Sequence, residues 1–464
     1  MKIFNSYSQA LEEFVPLNGN KVTMYVCGPT VYDVPHLGHA RCYITWDVVY
    51  RYLKFKGYDV TYARNITDVD DKIINKAKAQ NVQPKDIATK YAAKFHEAMQ
   101  ELNLLSPDIE PKATENIDEM LNIINELMQK GYAYESQGDV YFEVDKFPKY
   151  GALSKQSIKD LEAGARVETS DIKKNLLDFA LWKKTKDENE ISWDSPYGKG
   201  RPGWHIECSA MSRKYLGKTI DIHAGGADLQ FPHHENEIAQ SECASGQQFA
   251  KYWLHNGFVT INNEKMSKSL GNFTSIEKLL EAYDANTIKF FILTNHYRQP
   301  VEFNETALES AKAGVQRLKN AVKDVKTACN IDDIEPVIDK NNDYFKTFEA
   351  AMDEDFNTSK ALSILFEIAN KAQKEKDRHQ SEAIDLIAIL LGISSVLGFD
   401  FAKEESLGGD LTNGLMELII EIRKIVRSQK NWELSDKIRD DLNKLGITLK
   451  DTQDGKTIFE VSHK

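Results

Sequence analysis

Four residues scattered along the chain carry the side chains a soft metal ion prefers: Cys27, Cys208, His233 and Glu237. Cys208 lies in Trp204-His-Ile-Glu-Cys208, and the other pair lies in Phe231-Pro-His-His-Glu-Asn-Glu237. A spacing of i to i+4 puts the His233 imidazole and the Glu237 carboxylate on one helical face. Two sulfurs, one nitrogen and one oxygen make a tetrahedral zinc set. Spacing alone leaves other readings open. Ordinary zinc sites use close Cys-x-x-Cys pairs, a buried cysteine is often only a small hydrophobe, and His234 competes as a ligand.

Two further segments suit phosphate chemistry. In Pro29-Thr-Val-Tyr-Asp-Val-Pro-His36-Leu37-Gly38-His39 a strand passes into a helix, whose first turn offers free N–H groups and the positive dipole end to an anion. Gly38 lets a nucleotide lie against the backbone, and His36 and His39 supply donors for phosphate oxygens that gain charge during attack at the α-phosphorus. Taken singly, each histidine also reads as a helix cap or a half-buried surface residue. The second segment, Lys265-Met-Ser-Lys268-Ser, precedes Leu270-Gly-Asn272 and offers two lysines on a loop able to close over a triphosphate. Alone it reads equally as a solvated loop.

These residues need a scaffold, and the first hundred positions predict one of alternating strand and helix, hence a parallel sheet. Lys21 to Cys27 is a β-rich run, Gly38 to Phe55 has helical periodicity stopped by Gly57, and Val60 to Ala63 is a second strand before the acidic loop Thr67-Asp-Val-Asp-Asp71. Helical pattern runs from Ile73 to Gln129, and strand-like alternation from Gly131 to Val144. Tyr150 to Pro202 is polar and reads as an irregular insertion between two halves of the sheet. Thr219 to His223 is a third strand, ending in Ala224-Gly-Gly226. Amphipathic helices follow near 308–325, 344–375 and 381–397, and Gly408-Gly409 marks a final small unit.

Composition bounds the rest. At 464 residues the chain predicts two to four domains. Five dispersed cysteines do not form the dense framework of a secreted disulfide protein. No run reaches the roughly 18 apolar residues of a membrane span, and the N-terminus Met1-Lys-Ile-Phe-Asn5 has no signal-like segment, which predicts a cytoplasmic location. A net charge of −12 argues against nucleic-acid binding by bulk electrostatics, although the last 64 residues are nearly balanced.

The paired phosphate segments resemble the HIGH and KMSKS signatures of class I aminoacyl-tRNA synthetases. The strings around the four metal candidates, with Arg64-Asn-Ile-Thr67-Asp-Val-Asp-Asp-Lys72, Gly200-Arg-Pro-Gly-Trp204 and Asp355-Phe-Asn-Thr358, resemble the cysteinyl-tRNA synthetases along essentially the whole chain. Leu37 stands where the signature has isoleucine, and Tyr197 where Trp is frequent. The resemblance implies an α/β, Rossmann-type catalytic domain with an insertion, then an α-helical bundle and a small C-terminal domain. Its implied boundaries are 1–95 and 201–255 for the catalytic halves, 96–200 for the insertion, 256–304 for the KMSKS region, 305–400 for a tRNA-binding bundle and 401–464 for an anticodon-binding domain. It implies one zinc ion per chain on Cys27, Cys208, His233 and Glu237, and ATP with Mg²⁺ as substrate. Its ATP contacts fall on His36, Gly38, His39, Asp228, Lys265 and Lys268, with His36, His39 and Lys268 stabilising the transition state. Thr67 and Trp204 correspond to the amino-acid pocket, with Trp204 equally readable as a core aromatic, and His223 is read into that pocket because it and Asp228 flank the Gly-rich turn after the third strand, where α/β sheets bind ligands. Asp228 is assigned to the ribose or the substrate ammonium. Arg427, Trp432 and Asp436 correspond to anticodon readers, a string that a salt-bridged helix surface explains as well. Partners are then tRNA(Cys), L-cysteine and ATP, for a monomer.

A metal has a physical purpose here. Shape alone rejects a near-isostere such as serine only about a hundredfold, whereas translation needs about 10⁴ to 10⁵, or roughly 5.5 to 7 kcal/mol. Zinc favours thiolate and lowers a thiol's pKa from its free value of about 8.5. Two alternatives remain at this stage: a cysteine ligase acting on an amino sugar in mycothiol synthesis, and a non-catalytic zinc-dependent RNA-binding module.

Overall fold

The computed structural model describes residues 1–156, 172–185, 190–261, 264–266, 273–402, 410–429, 431–445, 447–451 and 457–461. They divide into two units, 1–402 and 403–464.

In the larger unit, four strands form a wholly parallel sheet with helices as crossovers. They are β1 (Lys21–Val26), α1 (Leu37–Lys56), β2 (Asp59–Arg64), α2 (Trp204–Leu216), β3 (Ile220–Gly226), α3 (Glu235–Ser245) and β4 (Ala250–Asn256). Strand order is β4-β3-β1-β2. β3 is buried along nearly its whole length, as a strand covered on both faces must be. The order reverses between β1 and β3, so the loops leaving their C-terminal ends diverge and open a crevice there. β4 is absent from the sequence reading, because Lys251, His255 and Asn256 interrupt its apolar run.

Between β2 and α2 lies the insertion. The helical pattern expected from 73 to 129 resolves into three helices, Asp71–Gln80, Pro84–Glu101 and Ile117–Gln129. Pro84 opens the second of them, as its fixed φ allows. The expectation of an irregular segment from 150 to 202 is corrected by strands Phe179–Lys184 and Gly200–Pro202. These complete a four-stranded antiparallel sheet with Ala133–Ser136 and Asp139–Phe142. Phe179, Leu181 and Trp182 are buried there, so apolar content outweighs the polar composition around them.

Helices Glu305–Cys329, Asp343–Met352, Thr358–Glu375 and Gln380–Val396 share one continuous core with α1, β1 and β2. The motif Asp355-Phe-Asn-Thr358 is a joint in this unit. The Asp355 carboxylate accepts from the Phe4 N–H at 2.8 Å, the Tyr297 hydroxyl at 2.9 Å and Arg298 Nε at 2.7 Å, and the Thr358 hydroxyl donates to the Leu293 carbonyl at 2.8 Å.

Arg41, fully buried on α1, donates to the carbonyls of Ile292, His296, Tyr297 and Gln299 at 2.7 to 3.1 Å. Burial lowers its pKa to about 10, and carbonyl dipoles compensate its charge. The clamped segment leads directly into strand Val301–Glu302, which pairs with Val259–Ile261. In the smaller unit, helices Asp410–Ser428 and Trp432–Lys444 precede an antiparallel hairpin, Ile447–Asp451 with Thr457–Val461. Gly408-Gly409 lies outside the described residues.

Two substitutions test this scaffold. A Cβ on Gly28, just beyond β1, would sit 1.5 Å from the Asn65 carbonyl oxygen, so Gly28→Ala is expected to cost about 3 kcal/mol or more. An unchanged thermal melt would refute that close approach. Arg41→Leu strands four carbonyls, with an expected loss of about 3 to 5 kcal/mol in denaturant unfolding. A loss under about 1 kcal/mol, the size of a single ordinary hydrogen bond, would show that the clamp is not structural.

Candidate active site at the strand switch point

A cleft of about 300 Å³ opens at the C-terminal ends of β1, β3 and β4. Its walls include Cys27, His36, Gly38, His39, Trp204 and Asp228.

On one side, the turn after β1 brings His36 in extended conformation to the N-cap of α1. The backbone N–H of His36 donates to His39 Nδ1 at 3.1 Å, and the two rings stack at 3.9 Å and 17°. Accepting at Nδ1 leaves Nε2 as the His39 donor. A Cβ at Gly38 would stand 3.0 Å from the His36 ring, so the absent side chain preserves this stacking.

The lysine segment meets the same place. Lys265 ends the short strand Glu264–Lys265, where Thr260 pairs with it, and Met266 lines the cleft. Lys268 lies outside the described residues. Where the described chain resumes, the Thr274 carbonyl accepts from the Leu37 N–H at 3.0 Å, and Ser275 bridges to His36. The flank after the lysine loop therefore touches the histidine turn, and the flank before it lines the same cleft.

The four metal candidates come together at the opposite wall, all buried, with one donor atom from each within 4.8 Å of the others. Cys27 Sγ lies 3.8 Å from Cys208 Sγ and 3.6 Å from Glu237 Oε1, and His233 Nε2 lies 2.9 Å from that oxygen. Cys27 alone of the four lines the cleft. A second set, Cys27, His223, His234 and Glu237, meets the same 4.8 Å limit. His234 Nδ1 lies 2.8 Å from His255 Nε2, and its Nε2 lies 3.3 Å from Cys27 Sγ. Two thiolates favour the first set for a thiophilic ion.

Charge is already arranged for cation binding. Burial pushes the Glu237 carboxyl up, but His223 and His233 override it and hold the pKa at about 2. Burial pulls His233 down, yet Glu237 and Cys208 raise it to about 10. The Cys27 thiol hydrogen bonds to Cys208 and draws it to about 6, while burial pushes Cys27 itself well up. Burial, with neighbouring imidazoles, keeps His205 and His234 well below the ordinary histidine range and His255 at about 3.

The remaining predicted residues are more dispersed. Trp204 opens α2 and lies with its ring 4.2 Å from that of His233. Asp228 lines the cleft beyond β3. Thr67 is buried behind the wall, donating to Glu207 Oε2 at 2.9 Å, and His223 sits beneath Glu237; neither lines the cleft. Among the lining residues given no role in the sequence reading, Lys72, which ends the string that begins at Arg64, stands over the Tyr32 ring at 5.3 Å, and Asn256 ends the unrecognised β4.

In the smaller unit Trp432 is 57% exposed at the start of its helix, with the Arg427 guanidinium 6.0 Å from its ring centre. Asp436 lies one turn further and pairs with Arg439 at 3.1 Å. No helix among the described residues is long and apolar enough to cross a membrane.

Comparison with known proteins agrees with this geometry. Residues 13–313 match the tRNA synthetases class I (C) catalytic domain, and residues 347–402 match the DALR domain. A cysteine–tRNA ligase of Fusobacterium nucleatum is 50% identical, with 98% of this chain and 99% of that protein covered. Another, of Thermodesulfovibrio yellowstonii, is 47% identical over 99% of each. In three dimensions the chain is similar to a methionyl-tRNA synthetase of Mycobacterium tuberculosis in complex with methionyl-adenylate (TM-score 0.57, 15% identity, 81% of this chain and 89% of that one), which shows a common fold. With histidine turn and lysine-loop flanks meeting at a sheet switch point, and half its residues shared end to end with such a ligase, the chain belongs to the cysteine–tRNA ligase family of class I aminoacyl-tRNA synthetases.

Proposed function

We propose that this chain activates L-cysteine with ATP and transfers it to tRNA(Cys), and that Cys27, Cys208, His233 and Glu237 hold one zinc ion for choosing the amino acid. The observation that carries this reading is the convergence of those four buried donors behind a cleft that Cys27 and the histidine turn both line. When bound, zinc supplies a Lewis acid that favours a thiolate over a hydroxyl.

The chain's own groups account for the two steps. His36 and His39 donate to phosphate oxygens as the cysteine carboxylate attacks the α-phosphorus of ATP, and pyrophosphate leaves. Lys265 and Lys268, with Mg²⁺, neutralise the triphosphate. Asp228 holds the ribose or the substrate ammonium, and Trp204 closes the amino-acid side of the cleft. The terminal adenosine hydroxyl of the tRNA then attacks the activated carbonyl, and adenylate departs. Positioning and charge stabilisation carry both steps without a protein nucleophile. Residues 305–400 bind the tRNA body, and Arg427, Trp432 and Asp436 read the anticodon by stacking and edge contacts. The protein acts as a monomer in the cytoplasm. Relatives covering 98% of the chain include its C-terminal end, which leaves no support for an amino-sugar ligase or a non-catalytic module.

Cysteine-dependent ATP–pyrophosphate exchange tests the activity. Cys208→Ser is expected to lose bound zinc, with preference for cysteine over serine collapsing toward the hundredfold or so of shape alone. Full selectivity in a metal-free Cys208→Ser protein would overturn the zinc assignment. Zinc uptake also has a pH signature. Between about pH 6 and 10, Cys208 and Glu237 are already ionised while His233 and Cys27 must each release a proton to become ligands. Apparent affinity should therefore rise up to about 100-fold per pH unit in that window. Chelator competition at several pH values measures it, and a flat profile contradicts the ligand set.

A further inference from the structure

Among the buried groups around the donor set, His223 touches Glu237 yet takes no part in the scheme above. It lies in the middle of the parallel sheet, level with Tyr25 on β1 and Trp253 on β4. Its side chain is fully buried and its ring stacks on Trp253 at 4.4 Å and 18°. Nε2 stands 2.9 Å from Glu237 Oε2. Nδ1 is buried and has no hydrogen-bond partner among the described residues.

These facts fix the proton. A hydrogen on Nδ1 would be a buried N–H without an acceptor, and would turn the Nε2 lone pair against a carboxylate. With the hydrogen on Nε2, His223 donates to Oε2, and only a lone pair is left unmatched. The two oxygens of Glu237 then differ. Oε2 is engaged by a charge-assisted hydrogen bond, while Oε1 faces His233 Nε2 at 2.9 Å and Cys27 Sγ at 3.6 Å.

We propose that His223 is a positioning residue that confines Glu237 to metal ligation through Oε1 alone. This rests on the zinc reading of the site. A carboxylate with both oxygens free can swing to chelate an ion through the pair, raising the count of protein donors from four to five. A strand-borne imidazole wedged between two aromatic rings cannot follow such a swing, so the carboxylate is held in one orientation. His223 thereby keeps the protein's share of the coordination shell at four donors.

X-ray absorption at the zinc edge of the zinc-loaded full chain is the first test. The expected shell has two sulfurs, one imidazole nitrogen and one oxygen at about 2.0 to 2.2 Å. A second carboxylate oxygen would overturn the proposal, and so would a shell of one sulfur and two imidazoles, in which His223 is a ligand of the competing set. Variants supply the second test. His223→Leu removes the donor at similar volume and should weaken zinc binding by about 10- to 100-fold in chelator competition. His223→Gln carries an amide N–H to the Nε2 position and should restore affinity and the one-oxygen shell. A folded His223→Leu protein with parental affinity and spectrum sinks the proposal while leaving the zinc site intact. Should the leucine variant not fold, a glutamine variant with parental affinity and shell supports the proposal, and one that binds weakly or gains an oxygen refutes it. A parent chain that takes up no zinc removes both readings, an outcome distinct from the others.

Discussion

Where β1 and β3 run side by side, the chain leaves one strand toward β2 and the other toward β4, so neither strand end is covered by its own crossover. The site depends on this divergence. Cys27 lies directly beyond β1, Asp228 just past β3, and Asn256 at the end of β4, and all three line one cleft without any loop having to reach for it.

Charge concentration behind the cleft is the second organising fact. Burying an ionised carboxylate beside two sulfurs and several imidazoles costs far more than burying apolar groups, unless each charge meets an oriented partner. Glu237 meets His223 and His233, Cys208 meets Cys27, and His233 Nδ1 lies 3.0 Å from His205 Nδ1. Remaining histidines stay neutral, so they orient their neighbours without adding repulsion. Arg41 follows another solution, with four backbone carbonyls in place of a carboxylate.

Legibility in the sequence tracks how local each feature is. The contact between His233 and Glu237 is readable from their spacing, because helical periodicity is a local property. β1, α1, β2 and β3 are readable for the same reason, each being a short run of uniform pattern. The pairing of Cys27 with Cys208 has no local signature and rests on resemblance alone. His223 shows the limit most clearly: in a strand buried on both faces, neighbouring residues alternate sides, and which side meets α3 depends on packing. Strands Phe179–Lys184 and Ala250–Asn256 are hidden because lysines, histidine and asparagine dilute their apolar pattern, and burial against neighbours decides instead.

Cys27 and Cys208 are separated by 181 positions. At a translation speed of roughly 5 to 20 residues per second, about 10 to 40 seconds pass on the ribosome between the first sulfur and the second. During that interval the nascent chain carries Cys27, joined early by Cys42, without the other donors of the set. Cys208 arrives on α2, His233 just before α3 and Glu237 on α3, all within a few dozen residues of one another. The donor set is therefore complete only once about half of the chain has been made.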